Sequence, residues 1–153
     1  MTCPFPSIGC SELGKLPKGR SPDQHRRFFG LIKAAFENWP EAETFQPATP
    51  LHLRKWAAVK AGWFYIVSNE NPNYARQAAE FAMQVLRQHN EPGWIVERRG
   101  QIALVSARSI SYKDMSHQNA CRVFSAAEDI LCEILGFPNG DALLEAAKQA
   151  RAA

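Results

Sequence analysis

The stretch PGWIVERRGQIALV, residues 92–105, decides the class of fold. Pro92-Gly93 opens it, Trp94–Glu97 and Ile102–Val105 have the composition of short strands, and Arg98-Arg99-Gly100-Gln101 lies between them. Two such runs joined by a short glycine-containing link predict a β-hairpin with two arginines at its tip. Upstream, Trp63–Val67 is aromatic and β-branched, ends in polar residues, and reads as another strand.

Everything around these strands has helical spacing. Between them, a helix is predicted from Asn71-Pro72 to about Asn90, with Tyr74, Ala75, Ala78, Phe81, Ala82, Val85 and Leu86 as a core stripe and an Arg/Gln-rich wet face. Thr49-Pro50 starts an earlier helix that ends near Gly62, its apolar face made of Leu53, Trp56 and Val59, with Arg54 and Lys55 pointing elsewhere. Ser21-Pro22-Asp23-Gln24 caps the first helix. On it Phe28, Phe29, Leu31, Ile32, Ala35, Phe36 and Trp39 share one arc, and Arg26, Arg27, Gly30 and Lys33 lie opposite.

After the hairpin, Arg108–Tyr112 reads as extended. Ser116 then caps a long helix carrying Val123, Phe124, Ala127 and Leu131, Gly136 stops it, and an alanine-rich helix ends the chain. The expected fold is α+β, with about five helices packed on a small, mostly antiparallel sheet of about three strands. Residues 1–20, with three prolines and three glycines, form an irregular basic arm. Residues 21–153 fit a single α+β domain, in keeping with a length of 153.

The longest apolar run, Ala61–Val67, is far shorter than the ~20 residues of a membrane span, and no export signal is visible, so a cytoplasmic location is expected. The four cysteines, Cys3, Cys10, Cys121 and Cys132, have no metal-finger spacing and read as reduced thiols; no metal or cofactor is expected. No phosphate loop, zinc-protease or nucleophile-elbow motif is present. The Asp23/His25 and Asp114/His117 neighbours read as helix-start chemistry, which predicts no catalytic residue and no enzyme.

Charge is distributed unevenly. Residues 1–36 carry six basic and two acidic groups, 37–113 nine and seven, and 114–153 three and six, so the segments stand at +4, +2 and −3, summing to +3. A basic front with an acidic tail predicts attraction of a polyanion to one face. Its candidate phosphate contacts are Arg20, Arg26, Arg27, Lys33, Arg54 and Lys55, with Arg98 and Arg99 as a second site.

Residues 19–32, GRSPDQHRRFFGLI, resemble a signature of the lambda Orf/NinB recombination-mediator family and of a related uncharacterised phage family. Leu53-Arg54-Lys55-Trp56 with Ala61-Gly62-Trp63-Phe64, and Ser109-Ile110-Ser111-Tyr112-Lys113-Asp114-Met115, resemble two further blocks of the uncharacterised family, in the same order. The resemblance implies a phage or prophage protein of a bacterial host cell that binds single-stranded DNA in recombination or replication, as a homodimer. It implies no catalytic residues. Against the family, the helix over residues 72–90 looks like an insertion. Two other functions stay open: a protein inhibitor that binds and blocks a host defence nuclease, as anti-CRISPR proteins do, and, third, a metal-dependent nuclease.

Overall fold

A computed structural model describes residues 21–68, 71–89, 91–111 and 113–152; the basic arm over 1–20, with Arg20, lies outside them. The described residues form α1 (Pro22–Glu37), α2 (Pro50–Lys60), β1 (Phe64–Ser68), α3 (Pro72–Gln88), β2 (Gly93–Arg98), β3 (Gln101–Ala107), α4 (His117–Leu135) and α5 (Gly140–Ala152). The α+β expectation holds, with five helices and three antiparallel strands among these residues.

Local chemistry sets the helix boundaries. The Ser21, Thr49, Asn71 and Ser116 side chains accept backbone N–H groups of the first turns of α1, α2, α3 and α4, and proline opens the first three. Each cap satisfies a donor that has no partner inside the helix. Gly136 ends α4 at φ 78°, a left-handed conformation that suits a residue without Cβ. The hairpin closes through Arg99 (φ 54°) and Gly100 (φ 76°) between the paired Arg98 and Gln101, the twist that two-residue hairpin loops need.

The strand order is β1-β3-β2, so β3 is central and β1 is an edge. Val105 of β3 opposes both Ile66 and Trp94, whereas Leu104 opposes Val67 and Ile95. Neighbouring residues on a strand face opposite ways, and this splits the packing into two layers. On one side Trp94 joins the main core, in which Phe28 stacks on Phe124 at 4.1 Å among Leu31, Leu53, Leu131 and Leu143 from α1, α2, α4 and α5. On the other side Leu104 and Ile102 meet the alanines of α3.

Three sequence expectations are corrected. The α3 stripe is not all core: Ala75 and Ala79 are buried, but Tyr74, Phe81 and Val85 are exposed. The narrow sheet covers Ala75 and Ala79 and takes Leu86 against Gly93, leaving Tyr74, Phe81 and Val85 bare. Phe29 is at the surface of α1, 37% exposed, because the core is filled by Phe28, Leu31 and Ile32. After β3 the chain runs through a loop in which the Ser111 hydroxyl donates to Asp114 at 2.7 Å. Cys121 is disulfide-bonded rather than a reduced thiol. Cys132 is a buried free thiol, pushed up to about 11 by burial and by the Glu128 and Asp129 carboxylates.

Candidate nucleic-acid interface

The sequence-predicted basic residues separate into two groups once the helices pack. Arg27 and Lys55 are held by acids. The Arg27 guanidinium donates to both Glu128 oxygens at 2.7 and 3.0 Å and to Asp141 at 2.9 Å, joining α1 to α4 and α5. These carboxylates hold its pKa above the ordinary arginine value, against the opposing effect of burial. Gly140 donates its N–H to the same Glu128, at a spot where a Cβ would collide with that carboxylate and with Arg27. Lys55 pairs with Glu91, which precedes β2. The face of α1 bearing Arg27 and Gly30 therefore docks α5, with Leu144 against Gly30 and Arg151 bridging Glu37 at 3.2 Å.

The remaining cations stay at the surface. Arg26 makes a solvent-exposed pair with Asp23 at 3.2 Å, a geometry of small energetic weight, and Lys33 is exposed. Arg26, Phe29 and Lys33 follow one another at helical spacings of three and four, so they form one stripe along α1. Arg54, reaching across from α2, sets its guanidinium 5.2 Å from the centre of the Phe29 ring. Burial lowers the pKa of Arg54, yet an arginine remains charged at any ordinary pH. Arg98 and Arg99 are exposed at the hairpin tip, well marked by the sequence.

Beside the Phe29–Arg54 contact lies an open groove of about 430 Å³, lined in part by His25, Arg54, Lys55, Arg108, Ser109 and Ser111. The Arg108 guanidinium sits 4.1 Å from the centre of the Trp63 ring and 5.1 Å from that of Tyr65; its Nε is buried and has no hydrogen-bond partner among the described residues. Three lining cations stand against one lining carboxylate, Glu91. Two guanidiniums braced on aromatic faces, next to serine hydroxyls, suit an oxyanion such as a phosphate.

Sequence reasoning named Arg54 but missed Phe29 and Arg108. Phe29 was absorbed into the apolar arc of α1, and Arg108 sat in a segment read as plain extended chain. The aromatic neighbours Trp63 and Tyr65 carried a signal, because flat aromatic faces near arginines favour stacking. Asp114 accepts from the Ser111 hydroxyl, and hydrogen bonds from Ser111 and Ser109 hold its carboxyl below the usual range. No group of three or more metal-ligating residues comes together among the described residues. No described helix is long and apolar enough to cross a membrane.

Comparison with protein-family models, with curated proteins and with solved structures gives no match to this chain.

Proposed function

We propose that this chain is a non-enzymatic, phage- or prophage-type nucleic-acid-binding protein of recombination or replication. It would contact phosphates through the α1 stripe of Arg26 and Lys33 and through Arg54 and Arg108 in the adjoining groove, with Arg98 and Arg99 as an outlying second contact. The observation that carries the reading is the Arg54 guanidinium over the exposed Phe29 ring at the edge of a groove that also holds Arg108. Cation and aromatic surface are interleaved there, the combination by which proteins track a phosphate backbone and stack unpaired bases. The resemblance of residues 19–32 to the Orf/NinB signature points the same way and favours single strands.

The test is fluorescence anisotropy of labelled single- and double-stranded oligonucleotides at two salt concentrations, with a divalent-metal cleavage control. Binding should weaken steeply with salt and leave the strands intact. Arg54→Ala and Arg108→Ala should each lower affinity by about tenfold and reduce the salt slope by about one. Phe29→Ala should weaken single-strand binding more than duplex binding, because only unpaired bases offer a face to stack on. Affinity unchanged in both arginine variants would remove the groove from the account. Absence of any binding would favour the inhibitor reading, in which the chain blocks a host nuclease by protein contact.

A further inference from the structure

Ion pairing sorts the described arginines. Arg26, Arg27, Arg76 and Arg151 are bridged to carboxylates. Arg87, Arg98, Arg99 and Arg122 make no salt bridge among the described residues, but all four are exposed. Arg54 and Arg108 differ from both sets. Each is half-buried, neither has a salt bridge among the described residues, and both line the groove beside Phe29. Drawing a charge away from water costs free energy unless a counter-charge or hydrogen bonds replace the solvent. Glu91 does not supply that counter-charge, because its carboxylate is engaged by Lys55. On Arg54 the effect of burial outweighs the attraction of Glu91, and on Arg108 the buried Nε has no hydrogen-bond partner among the described residues.

Both cations are fixed in place from behind. Arg108 donates its backbone N–H to the Trp63 carbonyl at 3.4 Å, the Trp63 indole donates to the Ser109 carbonyl at 2.9 Å, and the guanidinium sits 4.1 Å from the centre of the same indole. Arg54 is placed 5.2 Å from the centre of the Phe29 ring. A guanidinium braced by a ring keeps its N–H edge available to a planar or tetrahedral oxyanion. The Ser109 and Ser111 hydroxyls are hydrogen-bonded to Asp114, so the two arginines carry the recognition.

Charge and size narrow the class of anion. With His25 neutral, Arg54, Lys55 and Arg108 against Glu91 give the lining a net charge of +2, and the pairing of Lys55 with Glu91 leaves that charge on the two guanidiniums. An internal phosphate of a strand carries one negative charge. A phosphate monoester carries about −1.5 to −2 at pH 7 and presents three oxygens. The groove, at about 430 Å³, lies within the roughly 300–1,000 Å³ of sites that hold one small ligand, a size for one nucleotide unit. Resting on the nucleic-acid reading above, we infer that the groove seats the phosphorylated end of a strand: a terminal phosphomonoester held between Arg54 and Arg108, with the first base against the exposed part of Phe29.

The test is fluorescence anisotropy of the full chain with one single-stranded sequence, labelled at an internal base. It is prepared with a 5′-phosphate, with a 3′-phosphate, with hydroxyls at both ends, or with the phosphate capped as its methyl ester. A phosphorylated end should raise affinity at least about tenfold over hydroxyl ends. The methyl ester, which removes a charge and an oxygen without altering the protein, should lose that gain. Arg54→Ala and Arg108→Ala should each abolish the preference, whereas Arg26→Ala, outside the groove, should weaken every strand alike and leave the preference intact. Strands that bind equally whatever their ends would overturn this inference and leave the nucleic-acid reading standing. A gain that survives the methyl ester, or that survives in both arginine variants of the groove, would overturn it as well. If no strand binds, calorimetry with a nucleoside monophosphate separates the two ideas: binding that is lost in Arg108→Ala supports the phosphomonoester seat and removes the strand, and no binding removes both.

Discussion

The Arg27 guanidinium is engaged on two sides, by Glu128 and by Asp141, and the Glu128 side chain is only 12% exposed. Removing the cation leaves that carboxylate desolvated and without its partner, a worse state than replacing both members of the pair. Arg27→Met should therefore cost about 2 kcal/mol, a figure discounted because Arg27 itself is partly wet, and lower the melting temperature by roughly 4–8 °C. Arg26→Met, which loses only an exposed pair with Asp23, should shift the melt by less than ~0.5 kcal/mol. A thermal melt of both variants checks the contrast, and equal shifts would show that Arg27 does not join the helices. His52 supplies a pH test. Its Nδ1 accepts the Ala48 N–H at 3.2 Å, which requires the neutral ring, and burial with Lys55 nearby lowers its pKa, Glu91 opposing. Below the ordinary histidine pKa of about 6.5 the unfolded chain takes up a proton that the folded chain resists. Stability contributed by neutral His52 is thus complete above that pH and falls as pH drops toward the folded value. Melts of the natural protein and His52→Asn between neutral and mildly acidic pH should converge as pH falls, and parallel curves would exclude the effect.

At the scale of elements, the hairpin turn is where sequence and backbone are most tightly bound. Arg99 and Gly100 both have positive φ, which glycine adopts freely and a side chain resists. Gly100→Ala should destabilise by about 1 kcal/mol, whereas Arg99→Gly should be neutral or stabilising by up to about 1 kcal/mol, as read by denaturant unfolding. The hairpin, the four caps and the glycine stop of α4 were legible in the sequence because a few adjacent residues carry their cause. The docking of α5 on Gly30 and Arg27 was not, since a helical wheel separates wet from apolar faces without naming the neighbour that covers them. For the same reason α3 looked like core: its stripe is genuine, but Ala75, Ala79 and Leu86 turn toward the sheet while Tyr74, Phe81 and Val85 stay exposed. The candidate site was legible by half. Arg26, Lys33 and Arg54 stood out as charge, while Phe29 and Arg108 acquire meaning only when α1, α2 and the loop after β3 come together around one groove.

For the whole molecule, the two sides of the sheet are unequal. Toward α1, α2, α4 and α5 the core holds Phe28, Phe124, Leu53, Leu131 and Leu143, all nearly or fully buried; toward α3 the helix buries Ala75 and Ala79. Fully burying a large apolar side chain contributes about 1.5–3 kcal/mol, and an alanine much less, so α3 is held far more weakly than α4. Segments with few buried contacts open locally before the protein unfolds. Native-state hydrogen exchange at low protein concentration should accordingly show α3 and the free edge of β1 opening first, with α4 exchanging only through global unfolding. Exchange of α3 and α4 as one cooperative unit would mean that the thin layer is bound to the core more firmly than its buried side chains account for.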